Sequence, residues 1–312
     1  MTKSVAGLLA AFVLTSCSAA VPPAPNVASM TQVARRSHSL LYVSDLQHFE
    51  VYVYTFPSLA LQYTLKGFNE PEGLCADRSG NVWIANTGNN NMLEYAHGGT
   101  SPIASLGDPT GYPVGCAVDP LTGNLAVTNF YDFSGGGSVL IYDRARGLPH
   151  IYANKTQYYY YFAGYDGAGD LYVSGTTSKH VYVLAVLPRR RRAMSLVTIS
   201  GAKLYVPGTV AWNSSTLVLG DQQCQNKQTS CLYALSVAGR TARVTGTTPL
   251  RGSCDVVQAW VGATQIAAGD DAAYCAHGTS SVDIWSYPGG GSPRGHASGP
   301  GIPVGATVSS SP

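Results

Sequence analysis

The chain has 312 residues, of which 45% are hydrophobic and only 12% charged, and its 19 basic and 17 acidic residues leave a net charge of +2. So even a balance excludes a nucleic-acid partner, which requires a concentrated basic face. The length admits a single all-β unit as readily as two average domains. Glycine (35) and tyrosine (20) are plentiful, which suits tight turns and half-buried strands.

In chain order, residues 1–17 form a targeting segment: Lys3 is a short basic start, and the apolar run at 5–14 is too short to span a bilayer. It ends in Leu14-Thr15-Ser16-Cys17, which resembles the bacterial lipobox. That resemblance implies lipidation of Cys17, export, and anchorage through acyl chains to the cell membrane or outer membrane. The other reading is a secretory signal cut after Ala19 or Ala20. Residues 18–36, with Pro22, Pro23 and Pro25 and no apolar periodicity, are expected to be an extended tether reaching up to about 60 Å.

From residue 37 the pattern is strand after strand, with alternating or β-branched runs broken by Gly, Pro, Asn and Ser. The segment 80–86 (GNVWIAN) is matched by 39–45 (SLLYVSD), 123–129 (GNLAVTN), 169–175 (GDLYVSG), 215–221 (STLVLGD) and 264–270 (TQIAAGD). Their last residues are spaced by 41, 43, 46, 46 and 49 positions. A period of about 40–50 residues made of short strands predicts a β-propeller with one blade per repeat. A front strand of form P-x-G-x-x-x-D precedes two copies, at 71–77 and 113–119, and 162–165, 209–212 and 256–260 take its place later. The first copy lacks one, but 302–308 (IPVGATV) repeats 112–118 (YPVGCAV). The expected fold is therefore all-β: a six-bladed β-propeller of four-stranded antiparallel blades over residues 37–312, monomeric, closed by a C-terminal strand that completes the first blade and leaves no open edge.

The wording of 77–95 (DRSGNVWIANTGNNNMLEY), with its P-x-G-x-x-x-D lead-in, resembles an NHL repeat; the resemblance extends to 113–142 and thins to strand pattern later. It implies a fold similar to six-bladed lactonase-type propellers, and a family in which many members are binding platforms without chemistry.

Six cysteines follow Cys17. Cys224 and Cys231 bracket a hairpin loop and Cys254 and Cys275 flank the sixth repeat's first strands, so each pair is expected to be a disulfide. Cys75 and Cys116 occupy different positions of the P-x-G-x-x-x-D phrase, so their side chains are expected on opposite faces and both thiols free. None has zinc-site or C-x-x-C spacing.

The residues ending the repeated phrase, Asp45, Asn86, Asn129, Gly175, Asp221 and Asp270, fall at equivalent places around a ring, with Glu72 on an inner strand beside them. Such oxygens suit calcium, and lactonase-type propellers hold a divalent cation with a Glu, Asn and Asp set. Asp and Asn are equally the ordinary residues of the turn each blade needs, and the inner strands lack the Asn-Gly phrase of those enzymes. The arginines at 189–192 form a basic turn suited to solvent, anionic lipid or an acidic partner. Tyr158, Tyr159, Tyr160 and Tyr161, with Phe162 and Tyr165, are either alternately buried between blades or a stacking surface for sugar or peptide. No nucleophile elbow, P-loop, dinucleotide fingerprint or paired-histidine motif occurs. The reading is a non-enzymatic binding or scaffold propeller of a bacterial envelope with an unknown protein or small-molecule ligand. The rival is a divalent-cation-dependent lactonase-like hydrolase using Glu72, Asn129, Asp221 and Asp270.

Overall fold

A computed structural model describes residues 39–226, 229–272, 275 and 278–311. Cys17, the targeting segment and the tether lie outside them. No helix among the described residues is long and apolar enough to cross a membrane.

The described chain is built of strands joined by turns. β1 (Leu40–Asp45), β2 (Glu50–Thr55) and β3 (Leu61–Leu65) are followed by an antiparallel sheet of β4 (Pro71–Ala76), β5 (Val82–Asn86), β6 (Asn91–Tyr95) and β7 (Pro102–Gly107). A like sheet holds β8 (Pro113–Val118), β9 (Leu125–Asn129), β10 (Ser138–Tyr142) and β11 (His150–Tyr152). Next come β12 (Gln157–Tyr165), β13 (Leu171–Thr177), β14 (Tyr182–Leu187) and β15 (Ser195–Ser200), then β16 (Pro207–Trp212), β17 (Leu217–Asp221), β18 (Cys231–Ala238) and β19 (Thr241–Pro249). These eight are one sheet, because Thr198, Ile199 and Ser200 of β15 pair in parallel with Thr241, Ala242 and Arg243 of β19. β20 (Ala259–Val261), β21 (Gln265–Asp270), β22 (Ser281–Ser286) and β23 (Gly290–Ala297) form another, and β24 (Pro303–Ser309) returns to lie against β1 in the order β24-β1-β2-β3. The architecture is thus all-β, in five sheets.

The inner strands β24, β4, β8, β12, β16 and β20 each touch the next, and β20 touches β24. They approach so closely that a Cβ on Gly73 would stand 2.5 Å from the Val114 carbonyl oxygen, and one on Gly305 only 2.3 Å from that of Glu72. This is the physical content of the glycine in P-x-G: a side chain there would push neighbouring inner strands apart. The expected inner strand at 256–260 shortens to Ala259–Val261 for a related reason. The backbone before it serves the neighbouring inner strands, with Thr209 N–H donating to Val257 O (3.1 Å) and Gln258 N–H to Val304 O (3.0 Å).

The core consists of apolar clusters between successive four-strand units. Leu40 and Tyr42 of β1 join Leu74 and Ile84 on one side, while Leu41 and Val43, pointing oppositely, join Ala267 and Ile284 on the other. Alternation along a strand thus feeds two clusters, so these strands are buried on both faces.

Face-to-face packing also corrects the reading of Cys75 and Cys116, which are not free: they form a disulfide with Cα atoms 5.7 Å apart. Cys75 shares a face with its partner Trp83, Cys116 shares one with Val127, and all four sit in a single cluster between the two sheets. Side chains on opposite faces of adjacent stacked sheets are the ones that meet. Cys224–Cys231 and Cys254–Cys275 are also disulfides, with Cα separations of 5.4 and 5.7 Å.

Candidate binding face

Inner strands start on one face, here the upper face, and end on the lower. The upper face collects the turns that follow Asp45, Asn86, Asn129, Asp221 and Asp270 together with the connections leading into each inner strand. Asp45, Asn86, Asp221 and Asp270 fasten these connections. Asp45 accepts from Gly301 and Ile302 N–H (both 2.9 Å), just ahead of β24, and from Gln47 N–H and His48 Nδ1. Asn86 Oδ1 accepts from Asn69 N–H (2.7 Å), ahead of β4. Asp221 accepts from Tyr205 and Val206 N–H (3.1 and 2.8 Å), and Asp270 from Cys254 and Asp255 N–H (2.7 and 2.9 Å). In the third repeat the task passes to Asp108, which accepts from Thr110 and Gly111 N–H, while Asn129 Nδ2 donates to Asp108 Oδ1 (3.1 Å). Gly175 has no side chain, and a Cβ there would collide with the Tyr159 carbonyl.

Asp45, Asn86, Asp221 and Asp270 are buried and spend side-chain oxygens on backbone N–H groups of separate connections. Burial alone would raise the Asp45 carboxyl, but the hydrogen bonds from Gly301, Ile302, His48 and Gln47 outweigh it and hold the group below the usual carboxylate range. Asp270 is pushed up to about 6 by burial, and Asp255 to about 7 by burial and by the charges of Asp271 and Asp270. Among the described residues no group of three or more His, Cys, Asp or Glu is arranged to hold a metal ion. Two buried oxygens, Asp108 Oδ2 and Asn129 Oδ1, have no hydrogen-bond partner among the described residues.

A second set of links went unread in the sequence. The residue before the terminal Asp, Asn or Gly is a hydroxyl in three repeats, and each donates to a neighbouring inner strand: Ser44 Oγ to Glu72 O (2.6 Å), Thr128 Oγ1 to Tyr161 O (2.5 Å) and Ser174 Oγ to Gly208 O (2.8 Å). The signal was present as small residues at that position of every copy.

Glu72 is the exception among the predicted residues, since it opens to the central channel. A cavity of about 480 Å³ at the upper mouth is lined by Glu70, Glu72, Tyr112, Phe130, Tyr131 and Tyr161, among others. Burial, and then the Glu70 charge, push the Glu72 carboxyl up to about 8. Neither Glu70 nor Glu72 is in an ion pair among the described residues.

From this mouth a shelf of rings runs outward. Tyr112 and Tyr131 have centroids 4.3 Å apart, Tyr112 and Phe133 5.8 Å, and Phe130 and Tyr131 5.6 Å. Phe130 stacks on Tyr159 (4.8 Å) and Tyr161 (5.8 Å), and Tyr159 in turn contacts Tyr158 and His180. Backbone bonds fix three separate connections together: Phe130 N–H to Tyr112 O, Phe133 N–H to Thr110 O and Gly137 N–H to Tyr158 O. Phe133 is 65% exposed, Tyr158 37% and Tyr131 36%, whereas Tyr160, Phe162 and Tyr165 are buried in packing. The tyrosine run is therefore divided, with Tyr160, Phe162 and Tyr165 in the core and Tyr158, Tyr159 and Tyr161 on the shelf.

The lower face carries a group of arginines. Arg144, Arg146 and the arginines at 189–192 lie in its outer turns, all exposed and, among the described residues, in no salt bridge. Ser39, where the described chain begins, is on this face too.

Residues 68–95 match the family model described as NHL repeat. No curated protein matches the chain. Among solved structures, it is similar to a chain of a nidogen/laminin complex, at 12% identity and a TM-score of 0.67, covering 87% of this chain and 98% of that one. It is also similar to a functionally unknown protein from Desulfotomaculum acetoxidans, at 8% identity and a TM-score of 0.59, covering 86% and 98%. The fold is that of a β-propeller. The NHL-repeat match spans β4, β5 and β6.

Proposed function

We propose that this protein is a non-enzymatic binding propeller of a bacterial cell envelope, six-bladed, lipidated at Cys17, and engaging its ligand at the upper mouth. The observation that carries this reading is the continuous ring shelf leading into a mouth with two unpaired carboxylates. Exposed contiguous aromatic surface of this kind marks an interaction site. Six blades are supported by the cyclic order of the inner strands, the eight-stranded sheet then being two blades joined at their outer edges. Three disulfides are compatible with export. A propeller drawn to anionic lipid by the arginines of its lower face would present the shelf away from the membrane. The nidogen/laminin relative was solved in complex with a protein, which agrees with a protein ligand here.

The test is capture from envelope extract with immobilised protein, comparing the native chain with the Phe130→Ala/Tyr131→Ala variant. Partners held by the first and lost by the second support the reading; capture that ignores the shelf contradicts it. A second reading, a divalent cation at the upper face as the hydrolase alternative requires, is favoured by the unpartnered oxygens of Asp108 and Asn129. Calcium titration followed by thermal unfolding decides it, since a ligand of the native state raises the melting temperature. A rise abolished by Asn129→Ala supports a cation site, and no rise removes it.

A further inference from the structure

Glu70 and Glu72 are carboxylates at a mouth whose lining holds no lysine, arginine or histidine among the described residues; the rings of Tyr112, Phe130, Tyr131 and Tyr161 share that lining, and Thr87 hydrogen-bonds Glu72. The Tyr131 phenol is raised by its hydrogen bond to Tyr112 and, among smaller effects, by the Glu70 charge, so that acid and ring lie within electrostatic reach of each other. Carboxylates attract a cation by Coulomb force, and ring faces attract it through the quadrupole, more strongly where water is displaced. A lone ion would need only the mouth. The shelf continues past it through Phe130, Tyr159 and Tyr158, and Phe133 adds a second exposed flank, which suits an extended chain segment.

Resting on the reading of the upper mouth as a binding face, we infer that the mouth takes the lysine or arginine side chain of a partner's peptide segment, whose neighbouring residues lie along the ring shelf. The cation replaces the missing counter-charge of Glu70 and Glu72, and the peptide's apolar side chains cover the exposed rings. The other titratable groups lining the mouth are Glu70, Tyr112, Tyr131 and Tyr161. A cation beside Glu72 favours its ionised form, so binding releases a proton from that carboxyl and strengthens as the pH rises from 7 to 9.

The experiment selects phage-displayed random 12-residue peptides on the full chain, then titrates a selected peptide and its counterpart with norleucine in place of lysine, or citrulline in place of arginine. The inference expects one basic position in the selected set and at least tenfold weaker binding by the neutral counterpart. It also expects at least tenfold loss in Glu70→Gln/Glu72→Gln with no loss of thermal stability, and several-fold tighter binding at pH 9 than at pH 7 in the native chain. Selected peptides with no basic position, or binding indifferent to the glutamine pair, overturn it. If such peptides still depend on Phe130 and Tyr131, only the cation inference falls and the upper-mouth reading stands. Peptides indifferent to both pairs of variants overturn both.

Discussion

Asp45→Ala tests the fastening of inner strands by the residues that end the repeated phrase. The carboxylate is fully buried and accepts four hydrogen bonds, two of them from Gly301 and Ile302 N–H at the start of the returning strand β24. Hydrogen bonds to a charged group contribute about 1.5–3 kcal/mol each, and a buried N–H left without an acceptor costs about 1–3 kcal/mol. Contributions from one cluster do not add fully and water reaches part of this one, so the expected loss is about 3–5 kcal/mol. Asp45→Asn keeps one acceptor oxygen and should lose about half as much. The folded carboxyl is held below its ordinary value, so its stabilisation is complete above the unfolded pKa near 4 and disappears as the pH falls through the folded one. The gap between native chain and variant should therefore be full at pH 7 and shrink below about pH 4. Urea unfolding at both pH values measures it, and hydrogen exchange localises it, since the Leu46 amide donates to Ile302 O (2.9 Å) and should lose protection. A loss under about 1 kcal/mol, or unchanged exchange around residues 301–309, would refute the latch.

Three further outcomes are expected. Glu72, Asp255 and Asp270 have folded values of about 8, 7 and 6, all raised above the unfolded range near 4, so the stability linked to their protons is greatest below that range and declines as the pH rises through the folded values. Glu72→Gln should flatten the decline between about pH 4 and pH 8 in urea titrations, and an unaltered slope there would contradict the burial assigned to it. Removing Cys75–Cys116, which closes a separation of 41 residues, should cost roughly 4 kcal/mol by chain entropy against roughly 2.4 kcal/mol for Cys224–Cys231 with its separation of 7; paired alanine variants compared in denaturant would show the order, and its reversal would count against the chain-entropy argument. Gly73→Ala sets a methyl group against the Val114 carbonyl and should lower stability by about 1–3 kcal/mol, while Gly107→Ala, with open space around it, should cost under about 1 kcal/mol.

Much of the scaffold was legible because the repeat writes it six times over. The phrase ending in Asp or Asn placed β1, β5, β9, β17 and β21, and the copy of 112–118 at 302–308 pointed to β24 lying beside β1. What escaped was whatever depends on two separate segments meeting. Cys75 and Cys116 looked divergent because single-strand alternation says nothing about which faces of adjacent sheets are stacked. The parallel contact of β15 with β19 is an edge pairing that no local pattern announces. The upper mouth was half visible: Glu72 and the tyrosine run stood out, but Tyr112, Phe130, Tyr131 and Phe133 come from connections whose sequence reads as ordinary turn. Asp45, Asn86, Asn129, Asp221 and Asp270 end their strands, whereas β13 runs past Gly175 to Thr177; the hydrogen bonds that Asp221 and Asp270 accept come from backbone N–H groups that a sequence does not position.

The ring shelf of the upper face is proposed as the place where this propeller binds. Capture from envelope extract by the native chain, by Phe130→Ala/Tyr131→Ala, and by a lower-face variant with glutamine at 189–192 tests it most directly. Partners should be retained by the native chain and the lower-face variant but lost from the shelf variant, with all three proteins unfolding at the same temperature. Equal capture by native chain and shelf variant, or loss only when the arginines are removed, would contradict it.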